Sequence, residues 1–314
     1  MESIYKRHSE KDIQKIIEES IIRNRGYHKL GKAASYIPAL ASADVGHVAV
    51  AITDINGKNY CAGEFSKKFT LQSISKIISL MIAIEDNGEE FIFERLSKEP
   101  IEGFFNSINI REDNKENPLA NAGAIRVCSM IKGESPNQKI DRILNFTRTL
   151  SGNMDIGIDY EVYESEKSTS NRNKAITYLL KDTNKLEVDP EGTLDVYLKQ
   201  CSIEVDVVDL ANIAAIIANN GISPYTKEKI IDKNMVRLIK GVMTVSGMYN
   251  ESGEFLMNVG LPSKSGVSGG ILSVASNNFG IGVYNPALNH IGNSIVGEYI
   301  LKDISEKLDL HLLR

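Results

Sequence analysis

Apolar and polar positions alternate in ways that divide the chain into recognisable pieces. Residues 10–24 set Ile13, Ile16, Ile17, Ile21 and Ile22 among charges at helical spacing, which predicts a short amphipathic helix. His47 to Thr53 is rich in β-branched residues; Asn56-Gly57 and a second short run to Ala62 follow, a hairpin signal. Thr70 precedes a helical stretch from about Ser73 to Asp86, closed by Asn87-Gly88. From about 120 to 250 the pattern is mostly helical, as in Val208 to Ala218, which stops at Asn219-Asn220-Gly221. The end changes character: 253–259, 269–275 and 279–284 are strand-like runs separated by Gly, Ser, Pro and Asn, and a helix over about 293–308 closes the chain.

Strands at both ends with helices between predict one mainly antiparallel sheet assembled from the two chain ends. The expected organisation is a single domain over 1–314. Its sheet-containing part spans about 25–70 and 250–314, and an inserted helical subdomain spans about 71–249.

Composition narrows the class of function. With 314 residues, 42% hydrophobic and 25% charged, this is an ordinary globular chain, not a disordered, fibrous or disulfide-stapled one. The net charge of -5 comes from 36 basic and 41 acidic residues, scattered without a basic stripe, so nucleic acid is not an expected partner. Cys61, Cys128 and Cys201 are far apart and odd in number, as for reduced thiols. The start at Met1 to Lys6 has no apolar leader pattern, and the run Ile77 to Ile84 is too short to span a bilayer. A cytoplasmic protein with no membrane partner is the expectation. His8, His28, His47, His290 and His311 form no zinc spacing, and no Walker A or strand-coupled G-x-G-x-x-G is present, so neither a metal nor a nucleotide cofactor is expected.

The chemistry concentrates around Phe69 to Lys76. Ser73 and Lys76 form S-x-x-K at the start of an apolar helix, and residues three apart share a helix face. The lysine amine is therefore expected to reach the serine hydroxyl. Serine needs a base to act as a nucleophile, and lysine among apolar neighbours loses its charge more readily. The helix start also offers backbone donors to a developing negative charge. Taken alone, the pattern equally describes an N-capping serine beside a surface lysine. Lys264-Ser265-Gly266, late in the chain, is the companion of S-x-x-K in serine acyl-enzymes of the penicillin-recognising type. Gly266, Gly269 and Gly270 are expected to let a substrate lie against the strand, with a main-chain N–H completing an oxyanion hole. The S-D-N element is missing; Ser276-Asn277-Asn278 and Ser151-Gly152-Asn153 read as turns. Gly266 to Gly270 also spells G-x-S-x-G, but it leads into a strand and so lacks the context of a nucleophile elbow.

Five further stretches in fixed order make the chain resemble the serine-dependent glutaminase family. They are Tyr36-Ile37-Pro38-Ala39-Leu40, Asn117 to Ile125, Ser165-Glu166 leading to Arg172-Asn173, Tyr197 leading to Cys201 to Val205, and Gly247-Met248-Tyr249. The resemblance covers about residues 30 to 300. It implies a mixed α/β (α+β) fold of the β-lactamase/transpeptidase type and hydrolysis of L-glutamine to L-glutamate and ammonia through a γ-glutamyl-serine ester, without a cofactor. It further implies Ser73 as nucleophile, Lys76 as its dyad partner, and Tyr249 and Tyr197 as proton carriers. Tyr36, Asn121, Glu166, Asn173, Tyr197, Tyr249 and Val267 match the positions lining the glutamine pocket, with the N–H groups of Ser73 and Val267 as the oxyanion hole. The family forms dimers and tetramers, so a homodimer or homotetramer is expected.

An ammonium-, carboxylate- and amide-bearing substrate suits such a set, with Glu166 for the ammonium and Asn and Tyr donors for the carboxylate. Outside that context Asn121 reads as a helix cap, Glu166 as a solvated charge and Tyr197 as half-buried core. Departures from the family pattern are Ala39, the 99–106 stretch, Arg126 and Ser170-Asn171. The rivals are another acyl-enzyme of this fold, such as a β-lactamase or peptidase, and a glutamine-binding sensor without turnover.

Overall fold

The computed structural model describes residues 8–101, 103–108, 110 and 115–314; the Met1 to Lys6 start and Glu102 of the 99–106 stretch lie outside them. Helix α1 (Glu10–Asn24) begins at a Ser9/Asp12 capping box and buries Ile13, Ile17 and Ile21. A one-turn α2 (Pro38–Ala41) precedes the hairpin of β1 (Ala49–Asp54) and β2 (Asn59–Gly63). That hairpin turns at Gly57 (φ 98°), where the Asp54 carboxylate accepts from the N–H groups of Asn56 and Lys58. The short β3 (Phe69–Thr70) leads through a 3₁₀ turn, Gln72–Ile74, into α3 (Ser75–Asn87). The helical middle follows as α4 (Glu89–Arg95), α5 (Asn121–Met130), α6 (Pro136–Ser151), α7 (Tyr160–Thr169), α8 (Asn171–Asp182) and α9 (Pro190–Cys201). Then come β4 (Glu204–Val205), α10 (Val207–Ala218), α11 (Lys233–Ser246) and α12 (Ser252–Asn258). The chain closes with β5 (Ser263–Ser265), β6 (Gly270–Ala275), β7 (Phe279–Tyr284) and α13 (Ile295–Lys307).

The two chain ends meet in a five-stranded antiparallel sheet of order β2-β1-β7-β6-β5, as the sequence predicts. Strand alternation sorts its side chains into two cores. Val50, Ile52, Ile271, Ile281 and Val283 pack with the buried residues of α1 and α13. Ala49, Ala51, Leu272, Val274 and Tyr284 face α10 and the helical middle. On β7 the α10 face carries Gly280 and Gly282, because the helix backbone lies directly on the strand. A Cβ at Gly280 would stand 2.1 Å from Ala211 O and Ala215 N. Those glycines therefore serve packing at full contact.

One expected strand is a helix. Residues 253–259 fall in α12 and the turn that ends it; Ser252 and Phe255 bury while Glu254 and Met257 point outward, a helical rather than a two-residue period. The third C-terminal strand is instead β5, carrying Lys264. A two-stranded pairing of β3 with β4 is also absent from the sequence expectation, since each strand is only two residues long. Arg126 is buried on α5, donating to Glu116 at 2.6 Å and to the carbonyls of Arg95 and Lys185; Lys185 reaches the other Glu116 oxygen at 2.7 Å. The cation is tolerated in the interior because all these partners close around it.

Glu298 on α13 is a half-buried liability. Its Oε1 has no hydrogen-bond partner, and burial, with Glu251 and Glu254 nearby, pushes its carboxyl up to about 8. A carboxyl whose native value is raised binds its proton in the folded state, so its cost is absent below the unfolded-state value and grows as pH rises towards the native one. Glu298→Gln is expected to raise the Tm at about pH 8.5 and to leave it nearly unchanged at about pH 4, read by thermal denaturation at both.

Candidate active site

The nucleophile position is made by a forced turn. Thr70 pairs with Glu204, Leu71 N–H donates to Ile203 O, and the chain then reverses at Gln72, whose φ of 47° is left-handed for a non-glycine residue. Such a conformation costs on the order of 1–3 kcal/mol and persists only where neighbours enforce it. Here it delivers Ser73 to the mouth of the buried α3. Gly266, after β5, allows this: a Cβ there would meet Leu71 O at 2.6 Å. A Cβ at Gly270 would meet the Phe69 ring at 2.6 Å, and Gly269 adopts φ 107° against Asn285 O. Gly266 and Gly270 thus seat the β5–β6 turn on the segment that leads into Ser73, a packing role beside the substrate approach expected from the sequence.

Lys76 lies one helical turn below Ser73 and is fully buried. Its Nζ donates to Leu119 O at 3.0 Å and Asn121 Oδ1 at 2.7 Å, rather than to the serine. Burial lowers its pKa to about 8, against an opposing pull from Cys201, Glu166 and Cys128. A neutral amine giving two N–H bonds to these oxygens keeps one lone pair free. Across from it, Tyr249 occupies a second left-handed position, φ 54°. Its ring stacks on Phe105 at 4.5 Å, and the Lys264 Nζ sits 4.3 Å above it. Lys264 itself is fully buried, donates to Gly247 O and Ser265 O, and is held well below the usual lysine range by burial and by Lys76. The Tyr249 hydroxyl faces the hydroxyls of Ser73 and Ser265 without a well-formed hydrogen bond, and burial pushes it up to about 12. Neither the Ser73 nor the Val267 N–H has a backbone acceptor among the described residues.

A cavity of about 210 Å³ opens beside Ser73. Tyr36, Asn121, Glu166, Asn173 and Tyr197 all line it; of the two expected residues outside that lining, Tyr249 faces Ser73 with its hydroxyl, and Val267 packs with Ala34 and Leu288. Asn121 and Asn173 sit at the starts of α5 and α8, and Asn121 Nδ2 donates to Asn173 Oδ1 at 2.9 Å. The Asn121 side chain therefore bridges Lys76 and Asn173 and does not cap its helix. Glu166 is 6% exposed; its contact is Gln72 Nε2 at 3.4 Å, and burial pushes its carboxyl up to about 7. Tyr197 is 2% exposed, with burial raising its phenol well above the ordinary value. Tyr36 leaves much of its ring in solvent while its hydroxyl end, closed in beside Glu166, is also raised. Gln72, Phe105, Asn106, Thr169, Ser170, Arg172 and Cys201 line the cavity as well. The sequence reading assigns none of them to the pocket; position next to the nucleophile is the available signal for Gln72.

One acidic wall, Glu166, thus lies in the same cavity as two amides at helix starts, with a serine that faces a phenol and stands one helical turn from a buried amine. That suits a small zwitterion whose uncharged end meets the serine. Among the described residues no group of three His, Cys, Asp or Glu is arranged to hold a metal ion, and no helix is long and apolar enough to cross a membrane.

Comparison with known proteins gives the family. The family model described as Glutaminase matches residues 31–313. A glutaminase of Clostridium botulinum (strain Hall) is 46% identical over 304 residues, covering 96% of this chain and all of that protein. Glutaminase 2 of Clostridium perfringens (strain 13) is 44% identical over the same shares. Among solved structures, the probable glutaminase ybaS superposes with TM-score 0.92 at 33% identity, covering 98% of this chain and 100% of that one. The covalent complex of the Bacillus subtilis glutaminase YbgJ with 5-oxo-L-norleucine, formed by reaction with 6-diazo-5-oxo-L-norleucine, superposes with TM-score 0.88 at 36% identity, covering 94% and 98%.

Proposed function

The chain belongs to the glutaminase family, with its β-lactamase-like fold, and is a hydrolase acting on glutamine; from that premise we propose that it works through a γ-glutamyl ester on Ser73. The observation that supports this reading is Ser73 on the wall of a cavity that Glu166, Asn121 and Asn173 also line, one helical turn from the buried Lys76 and facing the Tyr249 hydroxyl.

In the proposed sequence the α-ammonium pairs with Glu166 and the α-carboxylate with the Asn121–Asn173 side, Tyr36 and Tyr197 closing the pocket. Ser73 Oγ attacks the side-chain amide carbon while its proton passes to the free lone pair of neutral Lys76. The oxyanion is held by the N–H groups of Ser73 and Val267. Tyr249 hands a proton to the departing nitrogen, ammonia leaves, and the γ-glutamyl ester remains; water then reverses the proton path and releases glutamate. That YbgJ reacts covalently with a glutamine analogue supports an attacking group in this pocket.

The test is ammonia release from L-glutamine, run beside L-asparagine and a simple primary amide. Asparagine, one methylene shorter, misplaces its amide by about 1 Å while its α-groups stay clamped, and is expected to be at least about 10²-fold slower. Equal rates on a simple amide would overturn the clamp. Glu166→Gln is expected to raise the KM for glutamine by about tenfold to a hundredfold, the loss of one charge-assisted contact. Because Glu166 must be ionised to pair with the ammonium and its carboxyl is raised to about 7, the fall of wild-type kcat/KM that protonation of Lys76 begins near 8 is expected to steepen as pH drops through 7, a steepening the variant lacks.

A further inference from the structure

Tyr249 and Val267 come from different parts of the chain, and something must hold the two in register beside Ser73. Tyr249 starts a 3₁₀ turn, Tyr249–Glu251, in a strained backbone conformation. Ser252 Oγ braces that turn by accepting from Met248 N–H and donating to Tyr249 O. The outer bracing is Glu251, which points away from the cavity. Its two carboxylate oxygens accept from Asn289 Nδ2 at 3.0 and 2.9 Å, and Oε2 also accepts from Asn293 Nδ2 at 2.6 Å. Asn293, fully buried, donates as well to Met248 O at 3.1 Å, directly before Tyr249.

The other end of this network is a loop built around Asn289. Its Oδ1 accepts from the N–H groups of Ile291, Gly292 and Asn293 at 3.0, 3.0 and 3.1 Å, curling residues 289–293 tightly. Gly292 (φ 106°) presses that loop on the site: a Cβ built there would stand 3.4 Å from Val267 Cγ1 and 3.9 Å from Tyr249 Cε2. The Glu251 carboxylate, beside the Asn293–Met248 O bond, therefore ties the Tyr249 turn to the loop that backs both Tyr249 and Val267.

We propose that Glu251 is a positioning residue for catalysis, clamping the Tyr249 turn to the 289–293 loop through Asn289 and Asn293 so that the phenol and the Val267 N–H stay aligned on Ser73. The inference rests on the roles given above to Tyr249 and Val267. Three donated N–H bonds require an acceptor-only group with two oxygens. Glutamine at the same place would present its own N–H₂ to an asparagine N–H₂, and one asparagine would have to turn away, loosening the loop. Nothing in this network touches Glu166, Asn121 or Asn173, so substrate capture is untouched while the reacting geometry slackens.

The experiment uses steady-state ammonia release from L-glutamine. Glu251→Gln is expected to lower kcat by about ten- to a hundredfold, as for a misplacement near 1 Å, with KM within about twofold of wild type. The double variant Glu251→Gln/Asn289→Asp moves the negative charge across the contact. The carboxylate then standing on the loop keeps one oxygen for the three loop N–H groups and offers the other to the amide that replaces Glu251. This double variant is expected to recover most of the lost kcat. Wild-type kcat in Glu251→Gln, or a loss that the double variant leaves unrepaired, would overturn the proposal, as would an equal rise in KM. Tyr249→Phe separates this from the underlying mechanism. If Tyr249→Phe is slow and Glu251→Gln is not, only the clamp fails; if Tyr249→Phe keeps full kcat, the role of Tyr249 fails first.

Discussion

Ser73→Ala is expected to lower kcat for ammonia release by about 10⁴-fold or more, the scale on which removing a nucleophile from a cooperating set acts. The effect falls on turnover alone. Ser73 lies in the Gln72–Ile74 turn and is 6% exposed, its hydroxyl making no hydrogen bond on which the α3 start depends; that start is held by Ile74 N–H to Leu71 O and by Ser75 Oγ to Gln72 O. Alanine suits a helix entry, so the Tm is expected to stay within a few degrees of wild type. Glutamate binding, read by calorimetry, is expected to persist, because the Glu166 and Asn121–Asn173 walls keep their own contacts. Quenched wild-type reactions are expected to carry a γ-glutamyl adduct on the peptide holding Ser73, absent from the variant. A variant releasing ammonia at the wild-type rate would remove the serine from the chemistry.

How far these features can be read from the chain depends on the range over which they are set. Periodicity and turn residues are local, and they locate α1, the β1–β2 hairpin, α10 and α13 within a few residues. The Gly253 to Val259 run misleads because a short apolar segment flanked by glycine fits both periods; its Phe255 and Val259 bury in the core shared with α1 and α13, and that contact is not local. The Ser73–Lys76 pair is legible because both residues lie on one turn of chain. The bond Lys76 actually makes is not, since Leu119 and Asn121 arrive from α5 and its preceding loop, over forty residues on. Gly266 and Gly270 mark close approach in either reading; only the fold shows that the approaching body is the Ser73 turn. Glu251 has no motif of its own, because its meaning lies wholly in Asn289 and Asn293 across the site.

The second large effect concerns the base. Lys76→Met keeps the length and apolar stem of the side chain in a fully buried position but removes the amine, so kcat is expected to drop by about 10²- to 10⁴-fold. Two carbonyl oxygens, Leu119 O and Asn121 Oδ1, lose a donor, and Asn121 is freed to turn; a modest rise in KM, about two- to fivefold, is expected with it through Asn173. The pH profile separates base from scaffold. Lys76 accepts the serine proton only as the neutral amine, and burial sets its pKa to about 8. Wild-type kcat is therefore expected to climb with pH through that value and level off above it, since deprotonation creates the active form. Tyr249, pushed up to about 12, stays protonated across this range and adds no limb below it. In Lys76→Met the residual kcat is expected to be flat through the same window. A climb near 8 that survives in the methionine variant would assign the titration elsewhere. Lys264, the other buried amine held below its ordinary range, is then the group to exchange next, because it shares Tyr249 with the nucleophile.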